Sequence, residues 1–164
     1  MGRSRRLVLV AAAALATPSF AAISLYTTPE VLSAAAPWVV EGTVTRIGSG
    51  YDSVTATLRT YVTVEIETVH RGPAGLRRVV VRQPGGSFGG LVHAVDAVPA
   101  FEPGERVFLF LEPGKDGALR TTGMFFGKFR IIEGSSPDGA RAERDLSGHG
   151  LIIGAGSGWR APVG

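Results

Sequence analysis

Five consecutive residues, Gly85-Gly86-Ser87-Phe88-Gly89, carry the spacing Gly-x-Ser-x-Gly, in which a serine on a sharp strand-to-helix turn is presented as a nucleophile. The run before them, Arg78-Val79-Val80-Val81-Arg82-Gln83-Pro84, is strand-like, and Asp96 and His149 follow in the chain order Ser, Asp, His. The serine works in that setting only if a helix follows it and a parallel sheet with crossover helices carries it. This chain of 164 residues has neither the helical pattern nor the length. Ser87 is therefore read as incidental, and a small serine hydrolase using Ser87 is kept as the alternative function.

The same loop allows a second chemistry. Consecutive backbone N–H groups in a glycine-rich turn can cradle an anion. No Lys or Ser/Thr follows at the spacing of a nucleotide-binding P-loop, so a nucleotide is not expected. The plain structural role is that Gly85, Gly86, Gly89 and Gly90 supply positive φ and close approach at a corner. Because loops carry recognition more often than cores do, the candidate binding residues are Arg82, Gln83, Gly85, Gly86, Phe88 and Gly89. No catalytic residue and no metal ligand is assigned.

Other constellations are weaker. His70, His93 and His149 lack any metal-ligand spacing, and Asp138, Glu143 and Asp145 do not follow a calcium-loop pattern, so no metal or cofactor is expected. Glu65 and Glu67 share one strand face about 7 Å apart, as a glycosidase pair could, but a solvated strand face looks the same. Arg59, Tyr61, Arg78 and Arg82 could form a patch on the outer face of a barrel.

Charge placement bounds the partner. The formal net charge is +3, yet Arg3, Arg5 and Arg6 lie in the first 22 residues, where there is no acid. Setting those three aside leaves 14 basic residues against 14 acidic ones. A neutral remainder with interspersed acids points to a protein or glycan in the cell envelope or outside the cell, and away from nucleic acid.

The N-terminus reads as a secretory signal peptide over residues 1–21. It has a basic start, an apolar run from Leu7 to Ala16, and small residues before a cut after Ala21. Ten apolar residues are too few to span a bilayer, which takes about 20. The expected product is secreted, periplasmic or extracellular, with no stable membrane insertion after cleavage. With no cysteine in the chain, thiol catalysis, thiolate zinc sites and disulfide staples are all excluded.

The elements that must position the loop follow from pattern. Thr27 to Ala36 reads as one short helix, with Thr27 or Thr28 as cap, Pro29 in its first turn and Val31, Leu32 and Ala35 on its apolar side. Val39 to Ile47 is a strand with a kink or bulge at Gly42, broken by Gly48-Ser49-Gly50-Tyr51-Asp52. Leu58 to Val69 alternates: Leu58, Thr60, Val62, Val64 and Ile66 face inward, and Arg59, Tyr61, Thr63, Glu65 and Glu67 outward. Arg77 to Gln83 is a third strand, and Leu91 to Val98 fits either a strand or a loose helical turn. Arg106 to Leu111 has no polar face, which predicts a central strand covered on both sides. Pro99 to Glu105 is a turn, Glu112 to Gly117 is a hairpin loop into Ala118 to Thr122, and Met124 to Ile132, broken by Gly123 and Gly127, completes the set.

This predicts an all-β fold: a small OB-like or netrin-like barrel of about five to seven strands over residues 22–133, with one short N-terminal helix. Residues 134–164 form a Gly-rich, partly ordered tail anchored through Leu151-Ile152-Ile153 and Trp159.

The order of Val39-Val40-Glu41-Gly42-Thr43-Val44, Tyr61 to Ile66, Val79 to Gly86, Phe101 to Leu111, Gly127-Lys128-Phe129-Arg130-Ile131 and Arg144 to Gly148 resembles a family of uncharacterised exported bacterial proteins. That resemblance implies export and a β-barrel fold, and no activity. More distantly, the Val-Val-x-Gly-x-Val strand and the Tyr-x-Val-x-Val strand resemble netrin-like domains, the OB-type barrels of metalloproteinase inhibitors. Those inhibitors use an N-terminal cysteine that this chain lacks. An accessory or inhibitor of an exported protease stands as a further alternative. The leading expectation is a non-enzymatic binding module.

Overall fold

A computed structural model of the chain describes residues 24–25, 27–53, 55–134, 139–146 and 151–152. The expected leader, Asp138, His149 and Trp159 lie outside the described residues. A two-residue strand β1 (Ser24–Leu25) leads into the helix α1 (Pro29–Ala35). Thr28 is its cap: the Thr28 hydroxyl accepts a bond from the Val31 N–H at 3.4 Å, and Pro29 and Glu30 fill the first turn. Leu32 and Ala36 are buried and Val31 is exposed. The expected apolar side is thus turned toward the i, i+4 pair, one helical turn apart on the same face.

Two long antiparallel strands follow, β2 (Trp38–Asp52) and β3 (Thr57–Arg71). Their register shifts at Val39/Val40, Glu41/Gly42 and Val44/Arg46, so the bulge expected at Gly42 is present. Glycine is required there, because a Cβ on Gly42 would stand 2.1 Å from the Glu65 carbonyl oxygen. The break expected at 48–52 does not occur: Gly48, Ser49, Gly50, Tyr51 and Asp52 all keep partners on β3. Nothing crowds Gly48 or Gly50, so these glycines permit a turn without imposing one.

The chain continues through β4 (Arg78–Pro84), β5 (Gly86–Phe88), β6 (Leu91–His93), β7 (Arg106–Pro113) and β8 (Leu119–Thr121). After these come a 3-10 turn at Met124–Gly127, then β9 (Lys128–Ile132), β10 (Arg141–Glu143) and β11 (Leu151–Ile152). The segment from Leu91 to Val98 is thus a strand only as far as His93. Met124 to Gly127 leaves the strand expected there, because Gly123 and Met124 both take positive φ.

The main sheet runs β10-β9-β7-β2-β3-β4-β8 and bends back on itself, since β8 also pairs with β7. One edge of β7 is taken by β2; the other is shared by β9 and then β8. Closure onto β4 rests on one parallel bridge, Val81 to Leu119. The all-β expectation holds, but the sheet is ring-like and not a continuously bonded barrel, because β8 has three residues with which to complete it. β10 shows that part of the Gly-rich tail joins the sheet edge beside β9.

Inside the ring, Val40, Val44, Val62, Val64, Val79, Val81, Val107, Leu109 and Leu111 form one buried cluster. On the outer face of β7, Phe110 packs with Leu32, Ala36, Val39, Ala97, Phe125 and Phe126, and Phe108 and Phe129 lie against them. β7 is therefore apolar on both faces for the reason its sequence predicts: each face serves a different core.

Candidate functional site

The glycine loop is a small antiparallel hairpin seated where β7 has already left β2. At its root, Gly85 donates its N–H to the Leu58 carbonyl at 2.9 Å, and Thr60 Oγ1 donates to the Gly85 carbonyl at 3.0 Å. Ser49 Oγ lies 3.0 Å from Thr60 Oγ1 and completes the seat. A Cβ on Gly85 would stand 2.6 Å from the His93 carbonyl oxygen, and one on Gly86 would stand 2.5 Å from both Ser49 Oγ and Thr60 Oγ1. Gly85 lets the backbone close against the chain returning through His93, and Gly86 lets it close onto β2 and β3.

β5 and β6 then pair Gly86 with His93, Ser87 with Val92 and Phe88 with Leu91. Gly89 and Gly90 turn the chain with φ of 58° and 80°, the two positive values that a type I′ hairpin turn requires. The result is an apolar tip on a fixed base: Phe88 is 54% exposed, Leu91 61% and Val92 79%.

The candidate binding residues therefore divide. Phe88 and Gly89 stand at the exposed end, and Gly86 is half-buried. Gly85 is buried at the root, and Gln83 is buried with its Nε2 donating to the Pro99 carbonyl at 2.9 Å. Gln83 thus anchors the segment after the hairpin. Arg82 flanks the site and pairs with Asp116, holding the Asp116 carboxyl below its ordinary range. Leu91 and Val92 were not expected as site residues, since the weak alternation of 91–98 hid which of them would face solvent.

Ser87 sits in mid-strand opposite Val92, followed by a glycine turn and another strand. The strand-turn-helix that a nucleophile elbow requires is not formed. Each carboxylate on the β3 outer face has a cation: Glu65 lies 3.7 Å from Arg78 and Glu67 3.0 Å from Arg106. The Thr43 hydroxyl donates to Glu67 at 2.6 Å and is the main reason its carboxyl is held below the usual range. His70 meets Glu41 at 2.8 Å and its ring lies 5.2 Å from that of Phe108. Among the described residues no group of His, Asp and Glu is placed to hold a metal ion.

A second feature escaped the sequence reading: a cavity of about 620 Å³ between the 98–105 segment, β9 and β10. Glu105, whose side chain is 3% exposed, is part of its lining. Glu105 Oε1 accepts from Lys128 Nζ at 2.6 Å and Arg130 Nε at 2.9 Å, while Oε2 accepts from the Glu102 N–H at 3.1 Å. Glu105 is the chief cause of the raised affinity of the Arg130 guanidinium for its proton. Lys128 also donates to the Ala100 carbonyl and lies 4.8 Å over the Phe101 ring. Arg144 on the far wall stacks 4.4 Å over Phe129 and donates to the Thr27 carbonyl. Glu105 reads in sequence as part of a polar turn, so only the fold reveals that it is buried. Its acceptor oxygens are taken by the protein itself, which makes this cluster a clamp on the 98–105 segment.

No family model, no curated protein and no solved structure matches the chain.

Proposed function

We propose that this protein is an exported, non-enzymatic binding module that contacts its partner through the β5–β6 hairpin. The observation that carries the reading is the exposure of Phe88, Leu91 and Val92 on a base fixed by Gln83, Gly85, Ser49 and Thr60. Phe88 and Leu91 side by side on one face of the tip, with Val92 on the other, favour association, and a rigid base lowers the entropy lost when they are covered. The uncharged tip also fits the neutral charge balance of the chain after its first 22 residues.

The test is capture from culture medium by immobilised protein, comparing the native chain with a Phe88→Ser/Leu91→Ser variant. Loss of captured material with an unchanged melting temperature supports the reading. Identical material on both removes the hairpin as the contact surface. The second reading, a serine hydrolase, stands only on the Gly-x-Ser-x-Gly spacing, and a fluorophosphonate adduct on Ser87 would restore it.

A further inference from the structure

Register fixes which backbone groups of the hairpin are used. Phe88 and Leu91 flank the two-residue turn, so they exchange both N–H···O bonds, and the next pair, Ser87 with Val92, exchanges none. Val92 therefore aims its N–H and C=O away from β5. β5 lies against β2 and β3, which leaves β6 as the outer strand, and no other described backbone group bonds to Val92.

Exposed strand edges are ordinarily blunted by shortness, charge, proline or a bulge. β6 has only the first, at three residues: no Asp, Glu, Lys or Arg occurs from Gln83 to Val95, no proline follows Pro84 until Pro99, and the β5–β6 pairing runs without a register shift. By register Phe88 and Leu91 lie on one face of the hairpin and Val92 on the other, so neither patch approaches the about 800 Å² per partner of a standard interface between two globular proteins. Apolar groups on both sides of an open edge suit the alternating side chains of one added strand. A bilayer suits this edge poorly, because hydrocarbon offers nothing to the Val92 N–H and C=O.

We propose that β6 accepts an extended, apolar segment of a partner protein as a third strand, with backbone bonds to Val92 and an apolar side chain beside it. This rests on the hairpin being the binding surface. Backbone pairing tolerates sequence, so the probe is a generic acetylated hexapeptide, Lys-Val-Thr-Val-Thr-Lys, titrated to millimolar concentration into the isotope-labelled full chain.

The expected result is a shift of the Leu91 to His93 amide signals and about tenfold slower exchange of the Val92 amide. Val92→Pro removes the outward N–H while leaving the bonds inside the hairpin intact, and weakens the peptide at least about tenfold; Val92→Thr does not. A peptide N-methylated at every amide does not bind even to the native chain, which keeps the test valid if Val92→Pro disturbs the hairpin. Binding that survives both changes would show apolar contact alone and overturn strand addition. So would absence of binding, protection of Val92 that rises with protein concentration alone, or equal protection by phosphatidylcholine vesicles. If the peptide fails while Phe88→Ser/Leu91→Ser still abolishes capture from medium, the hairpin remains the contact surface and only strand addition falls.

Discussion

Replacing Glu105 with glutamine tests whether the buried ion cluster clamps the 98–105 segment onto β9. The substitution keeps shape and one acceptor but removes the charge that Lys128 and Arg130 both face at 2.6 and 2.9 Å. Removing one partner of a buried pair costs about 3–5 kcal/mol. Here the loss is smaller, because Arg130 is half-exposed and keeps Glu102 at 3.2 Å, and Lys128 keeps the Ala100 carbonyl. We expect about 2–3 kcal/mol, most of it from Lys128, whose side chain is 12% exposed. For a domain of this size that is a fall in melting temperature of roughly 6–15 °C, read by calorimetry at pH 7. Glu65→Gln is the control, since the Glu65–Arg78 pair is open to solvent and its loss should cost under about 0.5 kcal/mol. A double-mutant cycle with Lys128→Met should give a coupling near 2 kcal/mol. A coupling under about 0.5 kcal/mol would refute the clamp, whatever the single variants do.

Other outcomes follow from the hairpin seat, the charged face of β3 and the expected leader. Gly86→Ala drives a Cβ into Ser49 and Thr60 at a φ of 130°; it should cost about 1–3 kcal/mol and shift the Leu91 to His93 amide signals, and an unchanged spectrum would mean the hairpin is seated otherwise. Glu67 has its carboxyl lowered first by Thr43, so its contribution to stability is present above the ordinary value of 4.5 and is lost as pH falls through the lower folded value. Thr43→Val should raise the Glu67 titration midpoint in a carboxyl NMR titration and make the acid loss of stability shallower; an unmoved midpoint would assign the shift elsewhere. Protein recovered from culture medium should begin at Ala22 by N-terminal sequencing, and a secreted chain that still carries Met1 would remove the signal-peptide reading.

Much of the fold was legible because its strands obey simple periods. The alternation from Leu58 to Ile66 matches burial, with Leu58, Val62 and Val64 inside and Tyr61 and Glu65 outside. The unbroken apolar run of β7 marks a strand between two cores. Glycine was legible at Gly42 and in the 85–90 loop, and misleading at Gly48, Gly50 and Gly127. Gly48 and Gly50 read as a break yet stay in β2, because pairing to β3 outweighs their conformational freedom. Gly127 reads as a flaw in a strand, yet a Cβ there would stand 2.3 Å from the Thr122 carbonyl oxygen, so it marks a close crossing. At the candidate site, composition located the glycine loop but could not separate Gln83 and Gly85, which hold the base, from Leu91 and Val92, which are offered to solvent. That division depends on register. The cluster around Glu105 was invisible because its members come from a turn and from a strand 23 or more residues further on.

The far end of β3 has a consequence for the order in which the molecule assembles. Arg71 reaches back to α1 and donates to the Ser33 and Ala36 carbonyls, supplying the cation that the last turn of that helix lacks. Seven residues are too few to hold a helix in water unaided. On these contacts α1 is expected to form after Arg71, which pairs with Val39 at the end of the β2–β3 ladder farthest from its turn, is in place. Helix formation should then be a late event that locks a finished sheet. On that ordering, Leu32→Ala speeds unfolding and leaves the refolding rate nearly unchanged in stopped-flow kinetics. A variant that instead slows refolding would place the helix in the nucleus and reverse the sequence of events.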